Sequence, residues 1–486
     1  MSESTPLVVR NGFYQPSRAR SAATDRRGLS PYFVAIAVLV ALGIGFVSFR
    51  VSTISTVEDP TKYLCDPDTK QDSGYIKLPN KVDDHYFYWY FESRSSPATD
   101  PLVLWLTGGP GGSSIMAMLA ENGPCRILPD VTTEINPYSW TTKANVVWLD
   151  QPTSVGFSHG GLNDHDFNET NVGENIYWFL QGFLEKHPEL LDREFFVTGE
   201  SYGGHYVPVA AHYIWEKNSE NSSDGGVKIN LQGIAIGNGL TNPTIQYLYN
   251  ADMANNAYNI SLLTPTQVRQ MRADAVECVA LTSECQQNLA NCAKAQSCWQ
   301  EKLIRPFAAS ERNRYDIRQW CHPDFPLCYD FSSIHAYLDS HRVREMLHVD
   351  PGLGPWLEIN RNVTQTFVAD GDWSMSYHTY VADLLNDNLR VVIYAGDADL
   401  MCNWIGNQAW TLALEWKGKD GFNAAEERPF THPLLSNKSS SVDAGVVRSF
   451  ENFAFVRVCD AGHMVPMDQP AVALALLNKF LANEDL

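Results

Sequence analysis

A serine stands between two glycines at residues 199–203, which read Gly-Glu-Ser-Tyr-Gly. A short apolar run at 195–197 precedes this stretch, and a helix-like segment at 206–217 follows it. In that strand–turn–helix order, Gly-x-Ser-x-Gly is typical of a nucleophile elbow, a strained turn that exposes the serine hydroxyl. Side chains at Gly199 and Gly203 would collide where the strand packs closely against the helix. The pattern therefore predicts Ser201 as a nucleophile.

A serine hydroxyl is a weak nucleophile unless a histidine removes its proton and a carboxylate orients that histidine. After an elbow, the acid comes first along the chain and the histidine second. The apolar run 390–394 leads to Asp397 and Asp399, and the run 453–458 leads to His463. The carboxyl ends of such strands are where sites in open α/β sheets lie. We therefore predict a triad of Ser201, His463 and one of the two aspartates.

Backbone amides are the usual donors to the oxyanion that forms when a serine attacks a carbonyl. One donor is expected from Tyr202, directly after the nucleophile, and a second from an earlier strand–loop–helix junction. The glycine-rich stretch 107–114 follows the apolar run 102–106 and supplies such a junction. A phosphate-binding loop is the alternative, but this stretch lacks the Lys-Ser/Thr of a P-loop.

Short apolar runs alternate with helix-like patterns, which predicts an α/β fold with a central, mostly parallel sheet. We expect strands at 85–91, 101–106, 144–149, 229–236, 389–394 and 453–458, and helices at 171–186 and 471–481. Between about 262 and 368 the strand runs stop and six cysteines occur. We predict a helical, disulfide-rich cap insertion at 262–368, which divides the core into parts at 50–261 and 369–486.

The N-terminal region contains a run without charged side chains, at residues 28–49, that is long enough to span a bilayer as a helix. Five arginines and only two acidic residues precede it, so the positive-inside rule places the N-terminus in the cytoplasm. We predict a disordered cytoplasmic tail at 1–30, a signal-anchor through the lipid bilayer at 31–49, and a lumenal or extracellular remainder. A cleaved signal peptide, which would give a secreted protein, is the alternative.

Composition agrees with translocation into an oxidising compartment. Ten cysteines favour such a compartment, and the net charge of -20 without a long basic run after residue 50 argues against a nucleic-acid partner. Asn-x-Ser/Thr sequons predict N-glycosylation at Asn168, Asn221, Asn259, Asn362 and Asn437.

From about residue 66 to residue 481 the chain resembles the serine carboxypeptidases. The matching stretches include Gly-Gly-Pro-Gly at 108–111, Asn-Pro-Tyr-Ser-Trp at 136–140, Leu-Asp-Gln-Pro at 149–152, Gly-Glu-Ser-Tyr-Gly-Gly at 199–204, Tyr-Ala-Gly-Asp at 394–397 and Gly-His-Met-Val-Pro at 462–466. The resemblance implies an α/β-hydrolase fold and an enzyme that removes C-terminal residues from peptides through an acyl-enzyme. It implies no metal or organic cofactor.

The resemblance also implies individual roles. Ser201 is the nucleophile, His463 the base and Asp399, rather than Asp397, its orienter, while the Gly109 and Tyr202 amides form the oxyanion hole. The resemblance also implies that the substrate-binding residues are Thr107, Gly108, Glu121, Glu200, Cys402 and Met464.

The family pattern also implies the disulfides Cys278–Cys298, Cys285–Cys292 and Cys321–Cys328. Cysteines 278, 285 and 292 are seven residues apart, too far to bond along one straight helix. Either the helix breaks near residues 286–291 or their partners lie elsewhere, and the nested pairing requires the break. Cys65, Cys125 and Cys459 stay unassigned.

Two features of the expected pocket bear on specificity. The resemblance places Glu200 against the terminal carboxylate of the substrate with Glu121 behind it, and two such carboxylates share a proton whose pKa is raised. Peptide hydrolysis is therefore expected to be best at acidic pH. Thr107 stands where the family usually has Asn, which predicts altered recognition of the C-terminus.

Two other functions remain open from the sequence. Relatives of this family carry out acyl transfer with the same triad, and a binding or protective role could accompany catalysis. The oligomeric state is equally open, with a homodimer among the alternatives.

Overall fold

The computed structural model describes residues 63–219, 226–325, 327–431 and 444–486. The strands in these residues are β1 (Gln71–Lys77), β2 (His85–Phe91), β3 (Leu102–Thr107), β4 (Cys125–Ile127), β5 (Thr133–Ile135), β6 (Asn145–Leu149), β7 (Phe195–Glu200), β8 (Leu231–Gly237), β9 (Arg312–Asn313), β10 (Asp316–Trp320), β11 (Arg390–Gly396), β12 (Arg428–Pro429), β13 (Gly445–Phe450) and β14 (Phe453–Val458). Ten of them form one sheet in the order β1-β2-β6-β3-β7-β8-β11-β14-β13-β12.

The centre of this sheet is parallel from β6 through β3, β7, β8 and β11 to β14, and antiparallel pairs flank it on both sides. The mostly parallel sheet is thus confirmed. The expected strands 85–91 and 453–458 agree with β2 and β14 at both ends. The sequence did not predict β1, β12 or β13, since β1 and β12 lie at the sheet edges and none of the three has a continuous apolar run.

The α-helices of the described residues cover the sheet and make up much of the predicted insertion at 262–368. They are α1 (Ser114–Ala117), α2 (Glu169–Lys186), α3 (Gly203–Ser219), α4 (Pro243–Gln246), α5 (Pro265–Cys285), α6 (Cys292–Cys298), α7 (Ser332–Leu338), α8 (His341–Met346), α9 (Arg361–Asp370), α10 (His378–Asn386), α11 (Trp404–Ala413), α12 (Lys419–Ala424), α13 (Val465–Asp468) and α14 (Pro470–Leu481).

The sheet separates two apolar cores because alternate side chains of each strand point to opposite faces. In β3, Leu104 packs in the core that contains α2 and α3, whereas Val103 and Trp105 pack in the core that contains α14. Continuous burial of β3, β6 and β7 on both faces explains why these strands appear in the sequence as unbroken apolar runs.

The chain between β8 and β11 adds no strand to the large sheet and is mainly helical. Helix α5 ends at Cys285 and α6 begins at Cys292, so the break expected near 286–291 is confirmed. The cysteines pair as the resemblance implies, Cys278 with Cys298, Cys285 with Cys292 and Cys321 with Cys328. A fourth disulfide joins Cys65 to Cys125, a pairing that the sequence left open.

The segment predicted to cross the bilayer, 31–49, lies outside the described residues, as does the tail at 1–30. Within the described ranges, no helix has both the length and the apolar character that a membrane span requires.

Candidate active site

Ser201 occupies a strained turn between β7, which ends at residue 200, and α3, which begins at residue 203. Its φ angle is 65°, in the left-handed region that non-glycine residues rarely adopt. A Cβ added at Gly199 would lie 2.5 Å from the carbonyl oxygen of Leu106, and one at Gly203 would lie 3.0 Å from the same atom. The strand, turn and helix therefore meet as the elbow requires.

The His463 ring and the Asp399 carboxylate are hydrogen-bonded, with 2.7 Å between Nδ1 and Oδ2. The same Oδ2 also accepts hydrogen bonds from the Asn238 side chain at 2.8 Å and from the Cys402 amide at 3.1 Å. Oδ1 accepts from the Met401 amide at 2.9 Å. Both residues are buried, so the carboxylate is fixed behind the ring.

Asp397, the other candidate acid, has a different partner. Its carboxylate accepts a hydrogen bond from the Tyr258 hydroxyl, and burial raises its pKa above the usual range. The geometry thus favours Asp399 as the partner of His463. Sequence reasoning did not anticipate Asn238 as a further support of Asp399; its only local signal was a glycine on each side.

Ser201 and His463 line the same cavity, which has a volume of about 70 Å³. The cavity also contains part of the glycine-rich loop after β3 and side chains from the insertion. Its lining residues are Thr107, Gly108, Gly109, Gly112, Met116, Glu200, Ser201, Tyr315, Leu327, Glu358, Ile359, His463 and Met464. Tyr315, Leu327, Glu358 and Ile359 come from the region 262–368, and sequence reasoning named none of them as site residues.

The loop after β3 packs directly against the elbow. A Cβ at Gly108 would lie 2.2 Å from the Tyr202 backbone nitrogen and 2.7 Å from the Glu200 carbonyl oxygen. Gly109 has a φ of 118°, a conformation that favours glycine. Among the described residues, neither the Gly109 nor the Tyr202 amide donates to a protein acceptor, so both are available to a ligand.

Two buried carboxyl groups lie beside the elbow. Glu200 is 3% exposed and lines the cavity, and Glu121 is 2% exposed and lies behind it. Burial and the repulsion of Glu121 raise the pKa of Glu200 well above its usual range, and burial raises that of Glu121 to about 8. One shared proton on the pair is the state that these surroundings favour.

The remaining predicted residues divide into two groups. Thr107 and Met464 line the cavity, and Thr107 Oγ1 accepts a hydrogen bond from the Trp105 indole at 2.8 Å, which leaves its own proton free to donate. Cys402 is buried and touches the site through its amide, but it is not among the residues that line this cavity. Burial, followed by the nearby Asp399 charge, raises the pKa of its thiol well above the usual range.

One segment of the insertion supports the loops that carry the acid and the base. The Arg314 carbonyl accepts from the Leu400 and Met401 amides, at 3.1 and 3.2 Å, and the Tyr315 carbonyl accepts from the His463 amide at 2.7 Å. The insertion is therefore part of the site and does not merely cover it.

Comparison with known proteins agrees with this geometry. The model of the serine carboxypeptidase family matches residues 61–483. The chain belongs to the serine carboxypeptidase family. It is a serine-type carboxypeptidase by class, and the resemblance drawn from its sequence motifs is confirmed.

Two curated relatives are similar over most of their length. The chain is 38% identical over 431 residues to carboxypeptidase Y homolog A of Coccidioides posadasii, which covers 88% of this chain and 77% of the relative. It is 37% identical over 434 residues to carboxypeptidase Y of Saccharomyces cerevisiae. That match covers 88% of this chain and 78% of the relative. The solved structure of Kex1(delta)p, a prohormone-processing carboxypeptidase from S. cerevisiae, matches with a TM-score of 0.75 at 26% identity and covers 88% of this chain and 94% of that one.

Proposed function

We propose that this carboxypeptidase releases the last residue of a peptide through an acyl-enzyme on Ser201. The observation that carries the proposal is one cavity lined by the strained serine, by the histidine bonded to a buried aspartate, and by Glu200, a buried carboxyl group whose pKa is raised by burial and by Glu121. Each is needed for a different part of the reaction, respectively attack, proton transfer and recognition of the terminal carboxylate.

In the acylation step, Ser201 Oγ attacks the carbonyl carbon of the last peptide bond while His463 Nε2 takes the hydroxyl proton. Asp399 Oδ2 holds the ring through Nδ1 and stabilises the imidazolium that forms. The Gly109 and Tyr202 amides donate to the oxyanion. When the C–N bond breaks, the imidazolium passes its proton to the leaving amine, and the free C-terminal amino acid departs.

In the deacylation step, water attacks the ester between Ser201 and the shortened peptide. His463 removes a proton from that water and later returns one to Ser201 Oγ, while the same two amides hold the second oxyanion. The products are a shortened peptide with a new carboxylate and the regenerated serine. An amine that replaced water at this point would make the enzyme an acyltransferase.

Selection of the chain end rests on the pair of carboxyl groups. A peptide carboxylate is ionised above about pH 4, so it requires a donor and not a second anion in front of it. The shared proton of Glu200 and Glu121 supplies a donor, and the Thr107 hydroxyl supplies another. Both are buried, so the charge-assisted bonds are formed away from competing water.

The proposal is tested with blocked dipeptides between pH 4 and 8, each compared with its C-terminal amide. Wild-type enzyme is expected to release the last residue with a burst of product equal to the enzyme concentration when deacylation is slow. Ser201→Ala should reduce kcat by about 10⁴-fold or more. Release of residues from internal positions, or equal rates with the alanine variant, would contradict the proposal.

We further propose that the protein is anchored at residues 31–49, with a cytoplasmic tail at 1–30 and the catalytic part in a lumen or outside the cell. The uncharged run and the preceding arginines support this, as do four disulfides in the described residues. In the same proposal, the part of the chain after the anchor is divided into a core at 50–261 and 369–486 and a cap at 262–368. Retention of activity in the membrane pellet after carbonate extraction is expected, whereas full release would indicate a cleaved signal.

N-glycosylation is proposed at two of the described sequons in particular. Asn259 and Asn362 are exposed, so a glycan could be attached there without disturbing packing. Asn168 is half-buried, caps α2 and donates to Asp370 at 3.2 Å, which makes it a poorer acceptor. Asn221 and Asn437 lie outside the described residues. Glycosidase treatment followed by peptide mass mapping tests each position.

A further inference from the structure

A second, much larger cavity of about 870 Å³ lies in the insertion. We propose that it receives the part of a peptide substrate that precedes the scissile bond and selects acidic side chains there. The inference rests on the proposed carboxypeptidase function and adds a specificity that the triad does not determine.

At two places in the chain, consecutive residues line the large cavity and the Ser201 cavity. Arg314 lines the large cavity and the next residue, Tyr315, lines the Ser201 cavity. In the same way, Leu327 lines the Ser201 cavity and Cys328 lines the large one. Leu400, which follows Asp399, lines the large cavity as well. The same chain segments therefore contribute to both cavities, close to the loop that carries Asp399.

The geometry of a carboxypeptidase substrate determines which part can reach this space. The substrate ends one residue beyond the scissile bond, so every other residue extends in the opposite direction. The Ser201 cavity, at about 70 Å³, has little room beyond the reacting group, whereas about 870 Å³ is typical of a ligand-binding cleft. The body of the peptide is thus expected in the large cavity.

The charged side chains that line the large cavity are mainly positive, whereas the protein as a whole is negative. Four arginines line the large cavity, Arg305, Arg312, Arg314 and Arg361, together with one acid, Glu311. The chain as a whole carries a formal net charge of -20. Arg305 pairs with Glu301, but no carboxylate in the described ranges forms an ion pair with any of the other three. This local positive charge attracts anions.

Two of these arginines are held by aromatic rings. The Arg312 guanidinium lies 3.9 Å from the centroid of the Trp320 ring, which is 63% exposed, and donates to the Arg318 carbonyl at 3.1 Å. The Arg314 guanidinium lies 5.1 Å from the Tyr315 centroid, and its buried Nε has no acceptor among the described residues. Stacked guanidinium groups with unused donors are well suited to a carboxylate.

The wall that carries these side chains is rigid. Strands β9 and β10 pair within it, and the Cys321–Cys328 disulfide closes the adjoining loop. The Cys321 amide donates to the Glu311 carbonyl at 3.0 Å, which ties that loop to the hairpin. A preorganised wall reduces the entropy lost when a flexible peptide binds.

The test uses blocked hexapeptides that share their last two residues and carry Glu, Gln or Lys in turn at the second, third and fourth positions before the scissile bond. At pH 6 the glutamate is ionised. The readout is the ratio of kcat/KM for Glu over Gln within one enzyme preparation, so any loss of folded enzyme cancels. We expect about a tenfold preference for Glu at one position or more, which declines with added salt.

Arg312→Gln and Arg314→Gln should lower this ratio to about threefold or less, whereas Arg269→Gln, an exposed insertion arginine outside the cavity, should retain it. A ratio near one at every position in the wild type would overturn the inference, as would an equal ratio in all three variants. A blocked dipeptide measured in parallel separates the two hypotheses. If the wild type cleaves it, the carboxypeptidase function stands even when the acidic preference fails.

Discussion

The Tyr202 hydroxyl donates a hydrogen bond to Asp372 at 2.5 Å, and this bond joins the nucleophile elbow to a residue 170 positions later in the chain. Asp372 also accepts from the Tyr377 hydroxyl at 2.8 Å and from the Glu169 amide at 2.9 Å. The residue whose amide is proposed to hold the oxyanion is therefore fixed through its side chain. Both partners are buried, so water does not compete for the bond.

Removing either end of this bond should slow the chemical step more than it weakens binding. Tyr202→Phe deletes the donor and Asp372→Asn weakens the acceptor, and each is expected to lower kcat about threefold to tenfold with little change in KM. Because the two substitutions disrupt one interaction, their effects should not add in the double variant. If the effects of the two substitutions on kcat were fully additive in the double variant, the bond between Tyr202 and Asp372 would not position the Tyr202 amide.

Gly108→Ala tests the contact between the β3 loop and the elbow. The new methyl group would lie 2.2 Å from the Tyr202 nitrogen, so the backbone on one side must move. We expect kcat to decrease by about 10²-fold or more, as when an oxyanion donor is lost. Gly354→Ala is the matched control, since nothing lies within 4 Å of a Cβ there. Circular dichroism of both variants separates misfolding from misalignment.

Glu200→Gln tests the shared proton. In the wild type, kcat/KM for a peptide should decrease as the pH rises through the raised pKa of the Glu200–Glu121 pair, because two anions then face the substrate carboxylate. With glutamine at 200 the pair no longer ionises together, so the alkaline decrease should be lost. A peptide amide should lack the decrease in both enzymes. If acid and amide substrates gave one profile in the wild type, this role for Glu200 would be wrong.

Thr107→Asn should improve binding of peptides with a free C-terminus. An asparagine can accept from the Trp105 indole with its oxygen, as Thr107 does now, and donate to the substrate with its longer amide arm. One charge-assisted bond is worth about 1–2 kcal/mol, so KM should decrease roughly tenfold. Thr107→Val, which removes the donor at similar volume, should raise KM instead. Unchanged KM in both variants would exclude position 107 from carboxylate recognition.

The stability that two buried carboxyl groups contribute should decline as the pH rises from about 4 to about 8. Burial raises the pKa of Asp84 to about 7 and that of Glu121 to about 8, so the folded chain retains protons that the unfolded chain has lost. The stabilisation is complete below the unfolded pKa near 4 and is lost as the pH passes the folded value. Each such proton changes the free energy of unfolding by about 1.4 kcal/mol per pH unit.

The expected dependence of stability on pH can be tested with two Glu→Gln variants, one at a buried carboxyl group and one at an exposed carboxyl group. Thermal midpoints of Glu121→Gln should fall less steeply over this pH window than those of the wild type, because one raised carboxyl group is gone. Glu415→Gln, at an exposed carboxyl group, should retain the wild-type slope. Burial lowers the pKa of His205 to about 4, so it adds an opposite slope near pH 4 to 6.5, but that slope is common to the wild type and both variants and cancels in the comparison. If the thermal midpoints of the two variants changed equally with pH, Glu121 would not contribute to the pH dependence of stability.

Local sequence patterns were enough to predict the features of this protein that depend on residues close together in the chain. The elbow at 199–203 could be predicted because its glycines, strand and helix are adjacent in the chain. The buried strands could be predicted because burial on both faces requires continuous apolar runs. The candidate triad followed from chain order, since carboxyl ends of parallel strands meet at one edge of a sheet.

Tertiary structure decided the features that depend on distant side chains. Chain order left Asp397 and Asp399 equivalent and the family resemblance favoured Asp399; the folded chain shows the contacts, with Asp399 held by Asn238 and His463 and Asp397 held by Tyr258. Only packing brings arginines from separate segments of the insertion around one cavity. The physical reason is that short-range patterns record backbone preference and burial, whereas hydrogen-bond partners and local charge arise when remote segments meet.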